Sequence, residues 1–179
     1  MIILGIDPGT NITGYGIIKY DKNTFSRITS GSIRLPSSQP IPERLKVIHK
    51  EIDKLIKSYS PDEFAIETAF YGKNVQSAMK IGYARGVSIL TASLNNLPSS
   101  EYSPREVKKA VVGRGSATKE QVSFMIKSLL IIDQENMKPD ETDALAIALC
   151  HAFRMKSHKN KNTNWKKFIE TYPDRVLLD

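Results

Sequence analysis

The chain opens on five apolar side chains, Met1-Ile2-Ile3-Leu4 and Ile6, and the run stops at Asp7-Pro8-Gly9. A short apolar run closed by turn residues predicts a buried central strand with Asp7 at its carboxyl end. Residues 14–20 predict a second strand returning beside it, and residues 27–35 a third, with Ile28, Ile33 and Leu35 among polar neighbours. Across residues 41–59 the period changes. Ile41, Leu45, Ile48, Ile52, Leu55, Ile56 and Tyr59 fall at helical spacing, and Pro42 suits a first turn. Residues 63–67, Glu-Phe-Ala-Ile-Glu, predict a short buried strand that again closes on a carboxylate. A helix between strands implies a crossover, which sets this strand parallel to the first.

Asn74 is a candidate N-cap for a helix to about residue 94, and residues 98–102 predict a fifth strand. Ser103 and Glu106 form a capping-box start for a helix through Val112. A Gly113-Arg114-Gly115-Ser116 turn follows. Residues 118–130 are amphipathic, with Val122, Met125, Ile126, Leu129 and Leu130 on one side. Pro139 opens a helix from Asp140 to about residue 155, apolar nearly all round after Leu145. The pattern predicts one α/β domain over residues 1–155. Residues 156–179 form a basic tail in which Trp165, Phe168 and Ile169 suit one short docking helix.

Composition narrows the class. A 40% hydrophobic content in 179 residues supports one sizeable core, and no apolar run is long enough for a bilayer. The apolar start shows no charged leader region. The single Cys150, between Leu149 and His151, forms no internal disulfide or cysteine cluster and suits a buried thiol in a reducing cytoplasm. His49, His151 and His158 lack zinc-ligand spacing. A net charge of +7 favours a polyanionic partner such as nucleic acid. Six cations against three acids put +3 of that on the tail from Lys156.

Four acids stand out. Asp7 and Glu67 end buried strands, while Asp140 and Asp143 lie three apart at the start of a buried helix and share a face. Taken singly, Asp7 also reads as a turn cap and Asp140 as an ordinary first-turn acid. Taken together, four carboxylates need a counter-charge, since two charges about 4 Å apart repel by roughly 4 kcal/mol at an effective dielectric of 20. All-oxygen ligands select hard cations, so Mg²⁺ or Mn²⁺ is expected. Two such ions can activate water and stabilise the leaving oxygen of a phosphodiester. A basic chain with such a site has the pattern of a nuclease.

A stripe of Ala78, Gly82 and Gly86 recurs every fourth residue along the predicted helix ending near residue 94. Each glycine costs a helix ~1 kcal/mol against alanine. Either close packing on the sheet or a second subunit's helix accounts for it.

The residues then become recognisable. Gly5-Ile6-Asp7-Pro8-Gly9-Thr10 with Thr13-Gly14-Tyr15-Gly16 resembles the opening of the RuvC family of Holliday-junction resolvases. So do residues 64–67, 84–87, 107–113 and 140–148, in order along the chain to about Phe153. The resemblance implies an RNase H-like fold, a mixed five-stranded sheet with helices on both faces. It implies a homodimer that resolves four-way DNA junctions in recombination and repair by paired nicks, with two Mg²⁺ per active site and Mn²⁺ as a substitute. Metal-binding acids fall on Asp7, Glu67, Asp140 and Asp143, and active-site lysines on Lys108 and Lys119. Phe70, beside Lys73, matches the family's base-stacking aromatic, although it also reads as a core plug. Phe70, Lys73, Lys108, Arg114 and Lys119 are the expected DNA contacts. A branch-migration complex of the RuvA and RuvB type is an expected partner. Tyr71 departs from the pattern, and the tail either adds phosphate contacts or is a solvated appendage.

Three rivals fit parts of this pattern. An actin or sugar-kinase type ATP-binding domain opens on a similar strand, acid and Gly-Thr, but needs a longer chain and a second phosphate loop. A junction-binding module without cleavage has no use for crowded carboxylates. A related nuclease for RNA or another branched DNA keeps the whole site.

Overall fold

The computed structural model describes residues 1–22, 24–68, 75–133 and 137–171, with side chains as far as Met155. Phe70, Tyr71, Lys73 and Asn74 lie outside the described residues. The first apolar run forms β1 (Ile2–Asp7). Strand β2 (Ile12–Asp21) returns antiparallel beside it, and β3 (Thr24–Arg34) runs antiparallel to β2. Helix α1 (Ile41–Tyr59) then crosses over, so that β4 (Glu63–Glu67) lies parallel to β1. Helix α2 (Val75–Leu94) leads to β5 (Ser99–Tyr102), parallel to β4. The sheet order is β3-β2-β1-β4-β5, a mixed sheet with β1 at its centre. Helices α3 (Pro104–Val112), α4 (Lys119–Leu130) and α5 (Pro139–Thr171) complete the chain.

Strand β2 starts at Ile12, two residues before the predicted start, and two further boundaries differ more from the sequence pattern. Strand β3 begins at Thr24 rather than near residue 27, because a tight hairpin feeds it. Lys22 takes a left-handed φ of 42°, and the Thr24 hydroxyl donates to the Asp21 carbonyl at 2.6 Å. Between Thr24 and Ser26 the only apolar residue is Phe25, which stacks on Tyr20 across the hairpin at 5.1 Å and is too isolated to show a strand period. Helix α5 does not stop near residue 155 but continues to Thr171. Residues 156–164 contain neither Gly nor Pro, so the chain supplies no helix stop there.

The sheet has a different core on each side. Alternation along β1 sends Leu4 and Ile6 one way, with Ile17, Phe64 and Ile66, against Ile48, Ile52 and Ile56 of α1 and Ala84 and Ala92 of α2. Ile3, Ile18 and Ala65 face the other way, against Leu145 and Ile147 of α5, Val107 of α3 and Ile126 of α4. Residues Ala144 to Cys150 are essentially fully buried, as a helix apolar on all sides requires. Burial pushes the Cys150 thiol up to about 12, so it stays protonated. No described helix is long and apolar enough to cross a membrane.

Glycine sets how closely α5 lies on the sheet. A Cβ on Gly5 would sit 2.3 Å from the Ala144 carbonyl oxygen, and one on Gly14 would sit 2.1 Å from the Asp140 carbonyl oxygen. Glycine inside a strand allows this backbone approach. The first turn of α5 is thereby pressed onto β2 directly opposite the end of β1, since Asp7 pairs with Gly14.

Candidate active site

Asp7 belongs to the side of β1 that carries Ile3 and Gly5, and so faces α5. In β4, Glu67 shares a side with Ala65, which packs on the same core. Ile6 pairs with Ile66 in the parallel register, and one further step sets Asp7 beside Glu67. Both carboxylates therefore stand at the carboxyl ends of adjacent central strands, where open α/β sheets place ligands. Asp140 on the first turn of α5 and Asp143 just after it come in from above, near the helix N-terminus, which favours negative charge.

The two lysines arrive by capping. The Ser103 hydroxyl accepts from the Glu106 N–H at 3.3 Å, and the Glu106 carboxylate accepts from the Ser103 N–H at 2.9 Å. This box starts α3, whose buried Val107 and Val111 set the helix on the core and leave Lys108 beside the acids. Thr118 and Gln121 form the same reciprocal pair at 3.3 and 3.1 Å, making Lys119 the first residue of α4. Lys119 Nζ lies 3.5 Å from Asp143 Oδ2.

Asp7, Glu67, Lys108, Lys119 and Asp143 line one cavity of about 300 Å³. Asp140 is not among its lining residues, but its charge reaches Asp7 and its carbonyl backs onto Gly14. Burial is the main cause that raises Asp7 from 3.8 to about 6, followed by the charges of Asp143 and Asp140. Burial likewise raises Glu67 from 4.5 to about 7, with Asp7 and Asp143 adding to it. Asp143 is raised by burial, with Lys119 opposing. The acids thus hold negative charge that the two lysines only partly offset. Among the described residues no three acidic, histidine or cysteine side chains are already drawn into a ready-made metal cluster. Asp143 pairs with Lys119 instead. The donor set, all oxygen and mutually repelling, fits a hard divalent cation.

The other predicted positions separate. Arg114 is exposed on the turn between α3 and α4 and does not line this cavity. Phe70 and Lys73 lie outside the described residues. The stripe on α2 splits: Ala78 is buried, whereas Gly82 and Gly86 are exposed, and a Cβ added at either would meet nothing within 4 Å. Close packing on the chain's own sheet therefore does not explain those two glycines. Gly5 and Gly14 carry no chemistry, yet they bring the two halves of the site together. For Gly5 the signal in the sequence is a glycine inside an otherwise apolar run, which marks close backbone approach, whereas Gly14 opens the predicted second strand beside Thr13 and carries no such signal.

A family profile described as crossover junction endodeoxyribonuclease RuvC matches residues 3–151. A crossover junction endodeoxyribonuclease RuvC of Chloroherpeton thalassium is 45% identical over 185 residues, covering 99% of this chain and all of that protein. One of Alkaliphilus oremlandii is 49% identical over 152 residues, covering 85% and 93% of the two chains. Among solved structures, Thermus thermophilus RuvC in complex with Holliday junction substrate superimposes with a TM-score of 0.80 at 27% identity, over 88% of this chain and 96% of that one. The mixed five-stranded sheet flanked by helices is accordingly RNase H-like.

Proposed function

The chain belongs to the RuvC family of crossover junction endodeoxyribonucleases, and on that premise we propose that it resolves four-way DNA junctions by paired, metal-dependent nicks. The observation that carries this reading is the convergence of Asp7, Glu67 and Asp143 with Lys108 and Lys119 on one cavity.

In this reading Asp7, Glu67, Asp140 and Asp143 would hold two Mg²⁺ ions, for which Mn²⁺ would substitute. When bound, the ions supply an activated water and stabilise charge on the leaving oxygen. The protein's own groups do the rest. Asp7 and Glu67 are fixed on adjacent strands, so their spacing is set by the sheet. Asp143 is fixed on a helix that cannot slide, because its backbone rests on Gly5 and Gly14. Lys108 and Lys119 draw the scissile phosphate against the acids and stabilise the charge that develops on it. In the free protein Lys119 is held by Asp143; a phosphate entering the cavity competes for it.

Paired nicks need two sites, and α2 suits a homodimer contact. Val75, Met79, Tyr83, Leu90 and Leu94 are exposed along the helix that also carries Gly82 and Gly86. An apolar stripe of this length on one helix is an interaction surface. The glycines within it let a second helix approach closely. We assign the DNA contacts to Lys108, Lys119 and Arg114, with Phe70 and Lys73 on the segment after β4. A branch-migration complex of the RuvA and RuvB type would deliver the junction, and the cytoplasm is the proposed compartment.

The test is cleavage of a synthetic four-way junction in Mg²⁺, wild type beside Asp7→Asn. Symmetric paired nicks from wild type alone support the reaction, the site and the dimer together. Binding without nicks, in Mg²⁺ and in Mn²⁺, leaves only a junction-binding module.

A further inference from the structure

Helix α4 carries one large apolar residue on the wrong side. Val122, Ile126 and Leu130 are buried, as the amphipathic pattern requires, but Phe124 is 71% exposed on the opposite face. An exposed phenylalanine contributes nothing to this core.

Phe124 borders a second cavity of about 480 Å³, between α4 and the start of α5. Lys119, Ser123 and Lys127 project at successive turns of α4 along one wall, and Met137, Pro139 and Thr142 form the other. Lys119 and Asp143 line this cavity and the cavity of the carboxylates alike. Their 3.5 Å contact is the partition between the two. The two cavities adjoin at Lys119, so a nucleic-acid strand whose phosphate sits against Lys108 and Lys119 has this second cavity beside it for a neighbouring nucleotide. Glu120, an exposed acid at the start of α4, also lies on this rim, and the Thr118 hydroxyl beside it holds its carboxyl below the usual range.

We infer that Phe124 is a stacking platform for the base of a nucleotide next to the scissile phosphate, with Lys127 beside that nucleotide's backbone. The inference rests on the nuclease reading above. An aromatic face flanked by cations holds an unstacked base without regard to its identity. It places the flanking nucleotide so that the scissile phosphate stays over the acids, which makes Phe124 a positioning residue.

The experiment compares wild type, Phe124→Ala and Phe124→Tyr on four-way junctions in Mg²⁺. The substrates are intact or carry an abasic nucleotide at each position beside the cut in turn. Because Phe124 is exposed, melting temperatures are expected to match. On intact junctions Phe124→Ala should nick roughly tenfold more slowly, and Phe124→Tyr close to wild type. At one flanking position the abasic substitution should slow wild type by a similar factor and leave Phe124→Ala with no further loss. Equal nicking by wild type and Phe124→Ala overturns the inference, as does a penalty undiminished on every abasic substrate; the cavity would then suit a protein partner. Wild type that binds but does not nick overturns the nuclease reading, and this inference with it.

Discussion

The two faces of the sheet are built to opposite ends. On the α1–α2 side, alternation along β1 and β4 buries Leu4, Ile6, Phe64 and Ile66 under two helices, and this core carries no candidate chemistry. On the α5 side the same strands place Asp7 and Glu67 at the rim of an equally apolar core. That face accepts destabilising charge at one edge because α5 is locked to the sheet by backbone contact. The opposite face accepts exposed apolar surface on α2. One side crowds charge that a cation would relieve, and the other shows an apolar helix that a partner would cover. Each face trades stability of the lone chain for a different kind of contact.

The sharpest contrast comes from Asp7→Asn. We expect nicking to fall below detection while junction binding persists. Without divalent metal at pH 7.5 the same variant should melt at a higher temperature than wild type. A carboxyl raised from 3.8 to about 6 corresponds to roughly 3 kcal/mol of disfavoured charge. Loss of both cleavage and stability would mean that Asp7 is structural.

Glycine substitutions on the two faces should differ in sign. Gly5→Leu drives a side chain into the Ala144 carbonyl, so we expect a destabilisation of about 3 kcal/mol or more and loss of nicking. Gly82→Leu meets open space. It should leave the monomer as stable or up to ~1 kcal/mol more stable through helix propensity, yet shift sedimentation from dimer to monomer. An unchanged mass in solution would sink the α2 interface.

The pH response belongs to the charged face alone. Asp7 and Glu67 hold their protons more tightly folded than unfolded, at about 6 and about 7 against 3.8 and 4.5. The stability they lend is complete below about pH 4 and disappears as pH rises through 6 to 7. Calorimetric melting in chelator should show this decline. Mg²⁺ should raise the melting temperature more at pH 7.5 than at pH 5; equal shifts would indicate binding elsewhere. The smallest stability effect is expected from Lys119→Met. Its ion pair is largely exposed and worth at most about 1 kcal/mol, while nicking should fall by about 10²-fold.

Most of the architecture was legible because strand and helix periods alternate cleanly. Leu4 and Ile6 against Ile3 and Gly5 already separate two faces, and α1 begins and ends where its apolar spacing does. The capping box at Ser103 marked the start of α3, and amphipathic spacing from residue 118 placed α4, whose own box at Thr118 and Gln121 emerges only in the structure. Asp7 and Glu67 stood out as candidates because carboxylates ending apolar runs are costly, and Asp140 and Asp143 because they share a face at the start of a buried helix. What was hidden depends on a third dimension. No period reveals that Gly5 and Gly14 touch α5, that Gly82 faces away from the sheet while Ala78 faces in, or that Phe124 borders the partition at Lys119 and Asp143. The length of α5 was hidden for another reason: a polar stretch without Gly or Pro looks the same whether it is a tail or a helix.

The contact of α5 with Gly5 and Gly14 has a consequence for how this molecule tolerates change. Where two elements are separated by side chains, every substitution between them alters their spacing. Here main chain rests on main chain, so the gap between Asp7 and the first turn of α5 is a hard stop. A change of size at Leu145 or Ile147 costs packing energy, but the reach from Asp7 to the first turn of α5 is set by main chain and not by those side chains. The cost is brittleness at two positions: a single methyl group at either glycine moves the whole helix at once.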